Sequence, residues 1–270
     1  MTLPFVLSIP HCSHQIPEEM RPGYALTRDE ILESVDLGTR RIFGSLPVDT
    51  VLCAEWSRLV ADLNRSPLRM DARGVIPRVD YHGRPVFQEG WFPGQTEIRS
   101  RLEMYYFPFH KRLREALARP DTKGLLDCHS LNGIGPRRAP DAGKRRKDIV
   151  LGNNGDRNGN VTQALGMTTC PAEILHLLKE CCEAAGFSVA LNDPYPGGFI
   201  TTHYGPPLNM TGKIAVQVEI NQDLFLNAQD TRTDPEKIEP LKTTLAAALD
   251  QFVVKLGWGT GYPPLPCNSR

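Results

Sequence analysis

The chain has 270 residues, 40% of them hydrophobic and 23% charged, and its 31 lysines and arginines are matched by 31 aspartates and glutamates. A balanced charge with no concentrated basic stripe fits a polyanionic partner poorly, so nucleic-acid binding is not expected. No window approaches the roughly 18 apolar residues of a membrane span. The opening MTLPFVLSIPHC has neither a basic n-region nor a small-residue cleavage site. The expectation is a cytoplasmic protein with no membrane partner.

This length can bury one full core, and no linker, repeat or low-complexity tract divides it, so a single α/β domain over 1–270 is expected. The seven cysteines (12, 53, 128, 170, 181, 182 and 267) form no CxxC pair. Neither a zinc ribbon nor a disulfide framework is indicated, and reduced packing residues are expected.

In chain order, residues 4–9 read as a first strand ending at Pro10 and His11. TRDEILESVDLGTRRIF (27–43) has an N-cap and helical apolar spacing, with an interruption near Gly38. VDTVLCA (48–54) is a second strand. A Gly/Pro-rich stretch over 69–94 reads as a long loop or lid, a type of segment that is often functional in compact domains. Residues 96–118 form an amphipathic helix kinked at Pro108.

LLDCHS (125–130) is a strand that ends on polar groups, followed by a basic loop, PRRAPDAGKRRKD, and a strand over 148–152. Residues 170–186 read as a helix closed by Gly186. FSVALND is a strand, YPGGFITTHYGPP a glycine-rich loop, KIAVQVEIN a strand, and 235–256 a closing helix. Strands alternating with helices imply a mixed, mostly parallel central sheet with helices on both faces.

Ligands of such sheets bind beyond the carboxyl ends of the strands. Three strands end there in reactive residues, in SIPHCSH, LLDCHS and VQVEIN, so His11, His129 and Glu219 are candidates to converge. A metal-dependent hydrolase needs about three protein ligands and a carboxylate to take a proton from water. Asp127, two residues before His129, shares its strand face and is placed to orient the imidazole. On spacing alone, His129 serves equally well as a loop hydrogen-bonding residue, because there is no HExxH or HxxE motif. Glu219 is either salt-bridged or catalytic.

SRLVADLNR brings together Arg58, Asp62, Asn64 and Arg65, a carboxylate receptor or a solvated, ion-paired loop. In GGFITTHYG the glycines permit close backbone approach, and His203 and Tyr204 offer polar tips. KRRK (144–147) reads as a solvated loop. Tyr105, Tyr106, Phe107 and Phe109 read as packing residues, with His110 free to face the site.

IPHCSHQIP, DLGT, SRLVADLNR, FPFH, LLDCHS, DIVLGNNGD, YPGGFITTHYG and AVQVEIN occur here in one order. In that order they resemble the N-formylglutamate amidohydrolase family, whose fold is akin to the zinc carboxypeptidases and aspartoacylase. The resemblance runs from about residue 6 to residue 227. It implies Zn2+ or another divalent metal held by His11 and His129. Aspartoacylase-like relatives place a glutamate three residues after the first histidine, where this chain has His14. Asp36, in the DLGT element, is the favoured third ligand and His14 the alternative.

The resemblance further implies Glu219 as general base, Asp127 behind His129, and Arg58, Asn64 and Arg65 on a substrate carboxylate. His203 would help to stabilise the oxyanion, with Thr202 and Tyr204 at the substrate. Two departures stand out: Thr202 occupies the arginine position of the common ITRHYG, and Ser13 the glycine of PHxG. The first argues for an acyl amino acid other than N-formylglutamate. The implied activity is hydrolysis of an N-formyl or N-acyl amino acid in amino-acid metabolism, of the histidine-degradation type. The implied partner is a small anionic acyl amino acid, and a homo-oligomer is compatible. A small-peptide or cell-wall-peptide metallopeptidase and a metal-free anion-binding protein are the competing readings.

Overall fold

The computed structural model describes residues 2–227 and 233–258, so Cys267 lies outside the described residues. Six strands form one sheet: β1 (Leu3–Ile9), β2 (Val48–Cys53), β3 (Gly124–Leu131), β4 (Ile149–Gly152), β5 (Val189–Leu191) and β6 (Ile214–Asn221). Their order is β2-β1-β3-β6-β4-β5. β2, β1, β3 and β6 run parallel, β4 is antiparallel to β6, and β5 is parallel to β4. The chain steps from β1 outward to β2 and then returns to the other side of β1 as β3. The carboxyl ends of β1 and β3 therefore flank the point where strand order reverses, the usual ligand crevice of an open α/β sheet.

Every residue of β3 and β6 is buried, as central strands covered on both faces require. Even-numbered β3 residues, Leu126 and Cys128, join Leu7, Val216, Val218 and Ile220 in one apolar layer. That layer is covered by α2 (Thr39–Phe43), α5 (Ala172–Ala184) and the closing α7 (Pro235–Lys255). The other face carries Val6, Leu125 and Ala215. It packs under α4 (Phe107–Leu117), α6 (Phe199–Asn209) and the long loop, through Leu113, Ile200, Val75, Ile76 and Val86. Burying each of these side chains stabilises the fold by about 1.5–3 kcal/mol.

The break expected near Gly38 is present: α1 (Arg28–Leu32) carries a capping box between Thr27 and Glu30, and α2 starts after Gly38. Gly38 has φ +77°, and a Cβ there would run into the Phe225 ring, so only glycine fits. The helix expected over 96–118 is interrupted before its proline. α3 (Gln95–Arg101) passes into a π-helical turn, Leu102–Tyr106, and α4 begins with Pro108 in its first turn, where its missing N–H costs little.

Two expectations are corrected. The glycine-rich loop over 195–207 is helical from Phe199, because the first turn is capped from outside the segment: Asn64 Oδ1 accepts from the Ile200 N–H at 2.8 Å, and the Gln217 amide oxygen accepts from the Gly198 N–H. The KRRK segment is not uniformly solvated. Arg146 is buried, and its Nε and Nη2 each sit 2.7 Å from an Asp141 carboxylate oxygen. Six free cysteines lie among the described residues, four of them buried. No described helix is long and apolar enough to cross a membrane.

Candidate active site

His11 follows the end of β1, His129 sits near the end of β3, and Asp36 lies in the break between α1 and α2. The Asp36 N–H donates to the His11 carbonyl at 3.0 Å, and Thr39 Oγ1 donates to the Asp36 carbonyl at 2.6 Å, so the break is tied to β1. Asp36 Oδ2 is 2.8 Å from His129 Nδ1 and 3.5 Å from His11 Nδ1. One ligand atom from each of the three lies within 4.8 Å of the other two. His14 is not in this group; its Nε2 is 3.5 Å from the Gln15 amide.

The opposite nitrogens of both imidazoles also meet carboxylates. His11 Nε2 is 2.7 Å from Asp62 Oδ1, and His129 Nε2 is 3.3 Å from Asp127 Oδ2 and 3.1 Å from Asn64 Nδ2. A carboxylate behind a ring holds the proton on that side and turns the other nitrogen's lone pair to a cation. Two imidazoles and a carboxylate, both rings backed in this way, fit a divalent transition metal such as Zn2+. The charges are coupled without one. Burial alone would raise the Asp36 carboxyl, but hydrogen bonds from His11 and His129 hold it below its usual range. Burial alone would lower His129, but Asp127 and Asp36 raise it well above an ordinary histidine.

Glu219 stands on β6 in register with His129, on the face shared by Asp127 and Gln217. Gln217 Nε2 donates to Glu219 Oε1 at 3.0 Å, and the other end of the same amide accepts from Gly198. Burial pushes the Glu219 carboxyl up to about 7; His129 opposes the rise, and Asp36 and Asp127 add to it. A carboxylate poised near neutrality is suited to general-base work.

The SRLVADLNR segment is divided in its roles. Arg58 donates to Asp62 Oδ2 through Nη2 at 2.7 Å and Nε at 3.2 Å, so it supports the acid that holds His11. Arg65 donates to the carbonyls of Asn64 and Arg73. Arg58 Nη1 and Arg65 Nη2 have no partner among the described residues. Asn64 Oδ1 accepts from the Ile200 N–H and its Nδ2 lies 3.1 Å from His129 Nε2, which places Asn64 between α6 and the metal-ligand candidates.

The ITTHYG residues scatter around α6. Tyr204 is buried, with its hydroxyl 2.9 Å from His110 Nδ1, so it packs in the core and is not presented to a substrate. His203 lies on the exposed side, stacked on Phe199 with ring centroids 4.8 Å apart. Thr202 turns its hydroxyl back to the Gly198 and Phe199 carbonyls. His110, held neutral by burial with its pKa pushed down to about 4, donates through Nε2 to the Leu63 carbonyl, between Asp62 and Asn64.

The pairing of Asp62 with His11 and the bridging by Gln217 had no signal in the sequence beyond membership of a polar motif. Each partner is brought by the fold. The same holds for the contact between loops at this sheet edge: Tyr81 and Tyr195 hydroxyls are 3.0 Å apart, Arg146 Nη2 donates to Tyr195 at 3.2 Å, and Arg138 packs over Gly83.

This is a mixed α/β protein whose sheet brings a histidine–aspartate–histidine cluster to its carboxyl edge, with a glutamate of near-neutral pKa beside it. The profile of the N-formylglutamate amidohydrolase family matches residues 3–226. The chain is 30% identical to the N-formylglutamate deformylase of Pseudomonas putida over 274 aligned residues, covering 95% of this chain and 94% of that one. It is also 30% identical to the deformylase of Pseudomonas aeruginosa, with 84% of each chain covered. The crystal structure of N-formylglutamate amidohydrolase from Ralstonia eutropha JMP134 superposes with a TM-score of 0.74 at 21% identity, over 95% of both chains. The chain belongs to the N-formylglutamate amidohydrolase family.

Proposed function

We propose that the protein hydrolyses the amide bond of an N-formyl amino acid, with N-formylglutamate as the reference substrate, and that His11, Asp36 and His129 hold a divalent metal, Zn2+ by preference. The observation that carries this reading is the convergence of those three ligand atoms beside Glu219, in a chain 30% identical to deformylases over nearly its whole length. When bound there, such a cation supplies a water of lowered pKa and polarises a carbonyl oxygen.

The chain's own residues do the rest. Asp62 and Asp127 keep protons on the outer nitrogens of His11 and His129, fixing both rings. Glu219, steadied by Gln217, takes a proton from the attacking water and returns it to the departing amine as the carbon–nitrogen bond breaks. Formate and the free amino acid are the products. The free nitrogens of Arg58 and Arg65 anchor the substrate carboxylate and bring the amide to attack distance. His203, on the outer side of α6, has no part in this scheme. The contact of the loops through Tyr81, Tyr195 and Arg138 supports a small substrate over a peptide lying in an open groove.

The test is formate release from N-formyl-L-glutamate and from N-formyl amino acids with uncharged side chains, by wild type and Glu219→Gln, with and without chelator. Chelator-sensitive release that drops by about a thousandfold in Glu219→Gln is expected. Full activity in chelator or in Glu219→Gln sinks the mechanism.

A further inference from the structure

Two buried side-chain atoms have no hydrogen-bond partner among the described residues: Ser8 Oγ and Asp127 Oδ1. They are neighbours. Ser8 of β1 is in register with Asp127 of β3, both residues are 0% exposed, and strand alternation puts both side chains on the face that carries His129. Adjacent strands are about 4.8 Å apart, so a serine hydroxyl and a carboxylate on aligned residues are within reach of one hydrogen bond or one bridging water. A hydroxyl and a carboxylate oxygen buried together and both left unbonded are costly; one shared proton satisfies the two at once.

The other Asp127 oxygen is already engaged. Oδ2 accepts from Thr201 Oγ1 at 3.2 Å and faces His129 Nε2 at 3.3 Å. Both contacts fall on Oδ2, so the carboxylate is held at one corner and nothing bonded to Oδ1 opposes rotation about χ2, which would carry Oδ2 away from the imidazole. A donor on Oδ1 removes that freedom. Among the described residues, the Ser8 hydroxyl is the neighbouring group that has a proton to give and no partner to take it.

We propose that Ser8 is a positioning residue for the active site: its hydroxyl donates to Asp127 Oδ1, directly after rotation about χ1 or through one buried water, and so fixes the carboxylate that orients His129. Its consequence for catalysis rests on the proposed ligand role of His129; the Ser8–Asp127–His129 chain does not. The expected effect of breaking it is smaller than that of removing Asp127 itself, because Thr201 remains.

The experiment uses the full-length protein with nitrogen-15-labelled histidine. In the metal-free state, Ser8→Ala should shift the His129 ring nitrogen signals, assigned by their loss in His129→Gln, and speed exchange of the Nε2 proton with solvent by about tenfold. Ser8→Thr, which keeps a hydroxyl on the same carbon, should stay close to wild type, and Ser8→Cys, a weaker donor, should fall between. Leu126→Val, on the opposite face of the same strand, should lower stability without moving those signals.

If Ser8→Ala changes only stability, as Leu126→Val does, and the His129 signals stay at their wild-type positions, the proposal is overturned. Should Ser8→Ala fail to fold, the Thr and Cys variants decide: a shifted Cys variant beside a wild-type-like Thr variant supports it, and two unshifted variants overturn it. His129 signals that respond as expected in the metal-free protein, when the same protein loaded with metal is inert toward every N-formyl amino acid, would sink the proposed function and leave the positioning role of Ser8 standing.

Discussion

Leu126 and Cys128 on one face of β3 are as deeply buried as Asp127 and His129 on the other, all four between 0% and 3% exposed, yet the two pairs lie in opposite kinds of interior. The first pair meets leucines, valines and phenylalanines, and burial pushes the Cys128 thiol well above its ordinary pKa, which leaves it protonated and inert. The second pair meets Asp36, Asn64, Thr201 and Glu219, and the charge of Asp127 and Asp36 raises the His129 imidazole well above its ordinary range against the pull of burial. Depth therefore does not distinguish packing from chemistry here. The identity of the element laid over each face does: apolar helices on one side, and on the other a helix N-terminus and a polar loop.

The largest test of this contrast is Glu219→Gln, which keeps shape and the Gln217 contact but removes the proposed base. A fall in kcat of about a thousandfold with unchanged thermal unfolding is expected. Leu126→Ala should do the reverse. It should destabilise by about 2–5 kcal/mol in denaturant titration, with kcat per folded molecule close to wild type. A Leu126→Ala variant that loses turnover while fully folded would break the division of β3 into a structural and a chemical face.

Asp127→Asn changes one charge behind His129 and is expected to weaken divalent-metal affinity by about 10–100-fold, measured by competition with a chelating dye. Cys128→Ala, one residue along on the apolar face, should leave that affinity unchanged. The mildest effect is with pH. In the proposed mechanism Glu219 acts as the ionised base, so kcat/KM should rise with pH until the carboxyl has titrated, at pH 7 or below, because burial sets Glu219 at about 7 and a cation held by the three ligand candidates would lower it. The limb should vanish in Glu219→Gln; a limb that persists there belongs to another group.

Strand order aside, most of the sheet was legible along the chain. Alternation and apolar runs marked all six strands, and the interruption at Gly38 was visible as a glycine within a helical pattern. Of the His11, Asp36 and His129 cluster, the two histidines were legible as strand-end residues, whereas Asp36, which lies on no strand, was legible only through the order of motifs. What misled was the segment 195–207. Its Gly-Gly and Pro-Pro pairs signal a loop, but Asn64 and Gln217 cap the chain into a helix from a distance. Once Phe199 begins that helix, Tyr204 is turned into the core and His203 outward, which local sequence had no means to reveal.

By itself the sequence determined the mixed α/β class, the two faces of β3 and β6, and the candidates for metal and base, because residue-by-residue alternation and strand-end chemistry are local properties. Tertiary structure alone decided which acid backs which imidazole, that Arg146 is buried on Asp141, and that Ser8 lies against Asp127. Those facts depend on strand order and register. Two residues more than a hundred positions apart become neighbours only when the sheet is assembled.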